Sequence, residues 1–165
     1  MPSHRGSIRI DGKDINTSGK RQLRDTVFLS QQSMTIRNLT IRQNLLYGND
    51  HATDADLRRV WGAIAHVFDP MTLDSSVGTN AKHLSTGQQQ LLRLGMVQLS
   101  QQPIVILDEP ASGVDKDRKK DVLAAIRRLG EEKLAVVLIT HDPETAALAG
   151  DQTKELKPRA PMHAQ

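Results

Sequence analysis

The sequence predicts an α/β fold built on a parallel sheet. Two observations carry this reading. "PIVILDE" (103–109) and "LAVVLIT" (134–140) are unbroken aliphatic runs of the kind that form buried parallel strands. A helical pattern lies between them, and strand–helix–strand order points to a parallel arrangement. Apolar spacing is also helical through the middle of the chain, at about 40–100, which predicts a lateral helical subdomain.

The elements follow in order. "GSIRIDGKDI" alternates apolar and polar residues and then turns at Asp11-Gly12, a strand and tight turn. "DTVFLSQQ" reads as a second strand. "LTIRQNLLYG" reads as a short helix closed by Gly48. In "DADLRRVWGAIAHVF", Leu57, Val60, Trp61, Ile64 and Phe68 line one helical face, with Asp54 as the expected N-cap. Residues 69–83 hold Pro70 and Gly78 and read as loop. A helix is expected from about Ser85 to Gln101. Pro103 leads into the first aliphatic run. Asp115 is placed to cap a helix with Val122, Ile126 and Leu129 on its face, ended by Gly130. "LAVVLIT" is expected to be another buried strand, and Asp142-Pro143 to open a short helix. Residues 151–165 read as a loose, polar tail.

The 165 residues suit one domain with a core of its own. Aromatics are scarce, so that core must be mainly aliphatic. A net charge of +3 comes from scattered basic residues rather than a stripe interleaved with aromatics, so no nucleic-acid partner is expected. The sequence has no cysteine, which excludes disulfides and thiolate metal sites. It has no signal peptide and no run of ~18 apolar residues, so these residues do not span a membrane by themselves.

Chemistry concentrates in residues 84–115. Asp108 and Glu109 stand at the carboxyl end of an expected strand, where ligands of open α/β sheets bind. Either they cap the following turn, or one holds a hard cation such as Mg²⁺ while the other deprotonates a water. Ser85 and Gln88 have capping-box spacing. The same helix start is either a structural cap or an anion site, and Gly87 would let backbone approach a phosphate. His141 ends the second aliphatic run, either to touch a ligand or to cap the next helix. Gln32 follows the strand at 26–30.

Taken together, these segments resemble the ATP-binding cassette (ABC) ATPases, specifically the nucleotide-binding domain of ABC transporters. "LSTGQ" is similar to the family's signature motif, "IVILDEP" to Walker B, "ASGVD" to the D-loop and "ITHD" to the switch-histidine loop. "SQQSMTIRNLTIRQNLLYG" is similar to the Q-loop region of exporter-type cassettes. "GSIRIDGKDI" with "LRDTV" resembles the segment before it. The resemblance covers about residues 6–150, and the stretch from signature to Walker B is its most specific part.

The resemblance implies a P-loop NTPase-like (RecA-like) sheet core and a fold incomplete at its N-terminus, occupying residues 1–150. It implies ATP and Mg²⁺ as cofactors. Asp108 would bind Mg²⁺ through water, and Glu109 would be the general base. His141 would contact the γ-phosphate, and Gln32 would ligate Mg²⁺ and sense the transport domain. Ser85, Thr86, Gly87 and Gln88 would face ATP held by an opposite cassette, and Asp115 would reach across that interface. The implied partners are a second cassette in a head-to-tail dimer and transmembrane transport domains. The implied place is the cytoplasmic face of a membrane.

The sequence departs from the family in one large respect. Glycine precedes lysine only at Gly12-Lys13 and Gly19-Lys20. Asp14 and Arg21 follow them rather than Ser or Thr, and Ser7 and Asp14 stand where the first glycine of G-x-x-x-x-G-K-[ST] belongs. Walker A is therefore absent from these residues, as in a cassette truncated at the N-terminus, and the chain alone is expected to be inactive and marginally folded, with open strand edges and apolar faces. Smaller departures are Thr86 in place of a glycine, and Leu91 and Met96 where arginines are usual. Two alternatives are a non-hydrolytic half-cassette that completes a partner's ATP site, and a non-transport ABC ATPase. The short span between Gln32 and Leu84 disfavours the chromosome-maintenance branch of the latter, which carries a long coiled coil there.

Overall fold

The computed structural model describes residues 7–30 and 35–148. Gln32 and the tail at 151–165 lie outside the described residues. The chain opens with a hairpin of β1 (Arg9–Ile10) and β2 (Lys13–Asp14). Asp11 and Gly12 both take positive φ, as a two-residue type I′ turn requires.

The main sheet has three parallel strands in the order β3 (Val27–Ser30), β4 (Ile104–Asp108), β5 (Ala135–Ile139). Leu29, Ile106 and Val137 stand side by side in register, as do Ser30, Leu107 and Leu138. Because side chains alternate along a strand, each rank faces one side of the sheet. Asp108 and Ile139 share the face of Leu29 and Val137.

Three helices pack together beside the sheet: α2 (Ile41–Leu46), α3 (Asp54–Ile64) and α4 (Thr86–Leu99). Each begins in a reciprocal capping box, Thr40 with Gln43, Thr53 with Asp56 and Ser85 with Gln88. The α3 cap is thus Thr53, one residue before the expected Asp54. Threonine sits at the non-helical position, and Asp54 follows in the first turn, where an acid favours the helix dipole. The apolar face of α3 is as expected: Leu57, Val60 and Ile64 are buried. Phe68, also buried, falls just beyond a 3₁₀ turn at Ala65–Val67 and meets the Trp61 ring at 5.3 Å.

Helix α4 is the hub, buried on most of its circumference. At Gly95 a Cβ would come within 2.8 Å of Leu45 and 3.2 Å of Val60, so the glycine is what lets α2 and α3 approach this closely. Asn49, itself buried, donates to the carbonyls of Leu45 and Met96 and pins α2 to α4. Leu91 and Met96, the apolar departures noted above, are both core residues.

Helix α5 (Lys116–Glu132) packs against α4 and β5 and buries Val122, Ala125, Ile126 and Leu129. It is capped by Asp115, whose side chain accepts from the Arg118 amide at 3.0 Å. It continues past Gly130, where the sequence reading ended it. Gln98 and Arg59 both reach Glu132 beyond that glycine and anchor the last turn. A final short helix, α6 (Pro143–Ala146), begins at Asp142 as expected.

Two further features differ from the sequence reading. A helix, α1 (Lys20–Thr26), precedes β3; it has no buried residue, so no apolar rhythm announced it. The strand β5 is not buried on both faces: Val137 and Ile139 remain 46% and 47% exposed. It is an edge of the sheet, with helices on one side alone among the described residues.

Candidate functional site

Strand β4 ends at Asp108, and the chain then turns sharply. Glu109 takes φ +48, a left-handed conformation that is uncommon for a residue with a side chain. Its amide donates to the Ile139 carbonyl at 2.8 Å, which holds this backbone at the end of β5. Strain of this kind at a strand's carboxyl end is characteristic of functional positions.

The turn points Glu109 at the residues that follow β5. Glu109 Oε1 accepts from the His141 amide at 3.1 Å and contacts His141 Nδ1 at 2.7 Å. Among the described residues, the second oxygen, Oε2, has only a long contact with Thr140 Oγ1 at 3.4 Å. Oε1 is therefore saturated, while Oε2 keeps most of its accepting capacity. Nδ1 is engaged, so Nε2 is the imidazole nitrogen left for a ligand. The carboxylate beside it raises the His141 pKa above the ordinary histidine value. The imidazolium, present below the unfolded pKa, thus persists to higher pH in the folded chain.

A second group forms where α4 and α5 begin. Ser85 Oγ accepts from the Gln88 amide at 3.3 Å, and Gln88 Oε1 accepts from the Ser85 amide at 2.8 Å. Gln88 Nε2 donates to the Val67 carbonyl, so this side chain is used in both directions. At Gly87 a Cβ would lie 2.9 Å from Arg118 Cβ and 3.5 Å from Val114 Cγ1. The glycine therefore has a reason inside this chain: it lets the start of α4 touch the start of α5. Thr86 and Asp115 are exposed beside it.

The structure thus brings Asp108, Glu109 and His141 to one end of the sheet. It brings Ser85, Thr86, Gly87, Gln88 and Asp115 to one corner between two helix starts. Among the described residues, no group of three or more His, Asp or Glu side chains is placed to hold a metal by itself. Asp108 would supply one acid to a hard cation whose other ligands are water and phosphate oxygens. These residues fit the catalytic end of an ATP–Mg²⁺ complex, but a glycine loop for the β- and γ-phosphates is not among them. Thr140 and Lys119, which hold the turn around His141, were missed by sequence reasoning. Thr140 beside "HD" was a usable signal; Lys119, far away in sequence, gave none.

Comparison with known proteins agrees with the geometry. The ABC transporter family profile matches residues 1–112. The chain is 33% identical over 138 residues to an ATP-dependent lipid A-core flippase of Desulfotalea psychrophila, covering 81% of this chain and 24% of the relative. It is 32% identical over 137 residues to a beta-(1→2)glucan export ATP-binding/permease protein of Agrobacterium vitis, covering 81% and 24%. A bacterial Atm1-family ABC exporter with ATP bound superposes with a TM-score of 0.76 at 27% identity, covering 87% of this chain and 26% of that one. The chain spans about a quarter of the length of these relatives. With its acids at the sheet's carboxyl end and its capped α4 start beside α5, this α/β chain belongs to the ABC transporter family, whose cassettes are ATPases.

Proposed function

We propose that this chain is the catalytic and signature portion of an exporter-type cassette, which couples ATP binding and hydrolysis to transmembrane transport. The observation that carries this reading is the Glu109–His141 pair at the carboxyl end of the sheet, with Asp108 immediately before it.

The roles are those that the family resemblance implies, and the contacts around Glu109 and His141 support them. Glu109 Oε2, the less occupied oxygen, accepts the proton of an attacking water. His141, oriented through Nδ1, presents Nε2 to the γ-phosphate, and its raised pKa favours the cationic form that offsets negative charge. Asp108 and Gln32 would hold Mg²⁺, which supplies charge neutralisation on the phosphates. Ser85, Thr86, Gly87 and Gln88 contribute the start of α4 to an ATP carried by a second cassette in a head-to-tail dimer, and Asp115 faces the same partner. The phosphate loop and adenine contact come from polypeptide outside the 165 residues. Transport domains place the assembly at the cytoplasmic face of a membrane. No described helix is long and apolar enough to cross one.

The test is Glu109→Gln in the assembled ATPase. Turnover should fall by about 10²–10⁴ while ATP binding is kept. Turnover near the wild-type level would remove Glu109 as the base and leave a nucleotide-binding half-cassette as the better description.

A further inference from the structure

We propose that Lys119 is a positioning residue for His141, tying the turn that carries the imidazole to the first turns of α5. The inference takes the role of His141 from the function proposed above; the mechanical claim rests on geometry alone.

His141 needs such support. Its side chain is 85% exposed, and among the described residues its side-chain hydrogen bond is with Glu109. The residues on either side are held instead. Lys119 Nζ lies 2.7 Å from Asp142 Oδ1 and 3.0 Å from Glu144 Oε2. Asp142 Oδ2 accepts from the Thr145 amide and hydroxyl at 2.9 and 2.6 Å, and Thr145 is buried. On the other side, the Asp142 amide donates to Thr140 Oγ1 at 3.0 Å, and that hydroxyl reaches Glu109. Asp142 is thereby clamped from both its oxygens and its amide.

Among the described residues, Glu109 ties this network to the end of β4, and Lys119 ties it to α5. The Lys119 amide bonds the carbonyl of Asp115, the α5 cap, at 2.9 Å. A lone exposed ion pair contributes little. Here one ammonium compensates two carboxylates, and Lys119 and Asp142 are only 20% and 25% exposed. Charge-assisted bonds of this kind fix direction as well as distance. Without the lysine, Asp142 and Glu144 are left as neighbouring like charges, and the turn loses its tie to α5.

The plain alternative is that Lys119 only fastens α5 to α6 and adds general stability. Residue-resolved amide exchange on the intact chain separates the two, together with the His141 imidazole signals in a ¹⁵N-histidine spectrum. No nucleotide is needed, so the result is independent of the proposed ATPase role. Lys119→Met should speed exchange at His141 and Asp142 by about fivefold and shift the His141 signals, leaving β4 amides unchanged. Asp142→Asn, which keeps an acceptor for Thr145, should do the same. The double variant should be no worse than the stronger single, and Lys119→Arg should restore both readouts. A uniform rise in exchange across the chain, or unmoved His141 signals in both single variants, would overturn the proposal.

Discussion

On one face of the three-stranded sheet, Val105 and Leu107 are fully buried in the core that α4 and α5 build, with Phe28, Val136 and Leu138 packed against it. On the other face, Leu29, Val137 and Ile139 stay about half exposed: 51%, 46% and 47%. Both faces are aliphatic, so composition does not tell them apart. What differs is the cover. Parallel strands are stable when both faces are shielded, and among the described residues the helical side is covered while the opposite side is not. Asp108 belongs to the open face by alternation. The Asp108–Glu109–His141 end therefore sits beside the face that the described residues leave open.

Matched leucines give the largest contrast. Leu107→Ala should cost about 2–5 kcal/mol, since it removes a side chain from a filled core. Leu29→Ala, one register step away on the next strand, should cost less than about 1 kcal/mol. Urea unfolding of both variants measures this, and equal losses would mean that the open face is covered in solution. The covered side has a second seam, between α4 and α5. Gly87→Ala should cost about 1–3 kcal/mol there, because Arg118 leaves no room for a methyl group. A neutral result would show that the helix starts can separate without penalty.

A smaller effect is expected in acid. The Lys119 ammonium, and then the Thr145 hydroxyl, hold the Asp142 pKa down to about 2, against an unperturbed 3.8. A depressed acid stabilises the fold above its unfolded value. That contribution is lost as pH falls from about 4 towards 2. Thermal unfolding of Asp142→Asn should lack this component of the acid-induced loss; an unchanged acid limb would place the effect elsewhere.

Much of this was legible in sequence, for identifiable reasons. Local signals read well: the Asp11-Gly12 turn, the Ser85–Gln88 capping box and the Asp115 cap depend on neighbours a few residues away. Unbroken aliphatic runs located β4 and β5. The same runs misled about burial, because Val137 looks identical whether or not something lies on it. Helix α1 was missed since an exposed helix carries no apolar stripe, and α5 outlasted Gly130 because Glu132 is held by residues far away in sequence. The site divided in the same way. Asp108, Glu109 and His141 were singled out by their places at strand ends together with the family resemblance, whereas the Glu109–His141 bond and the Lys119 clamp exist only once distant segments meet.

The central claim is that the proposed catalytic residues Asp108, Glu109 and His141 act only with a phosphate loop supplied beside this face. The direct measurement is Mg²⁺-dependent ATP turnover by the 165-residue chain, alone and joined to a strand–phosphate-loop–helix segment of an exporter cassette. The account predicts no turnover by the chain alone, and turnover in the joined protein that Glu109→Gln abolishes. Hydrolysis by the chain alone at a rate unaffected by joining would contradict it.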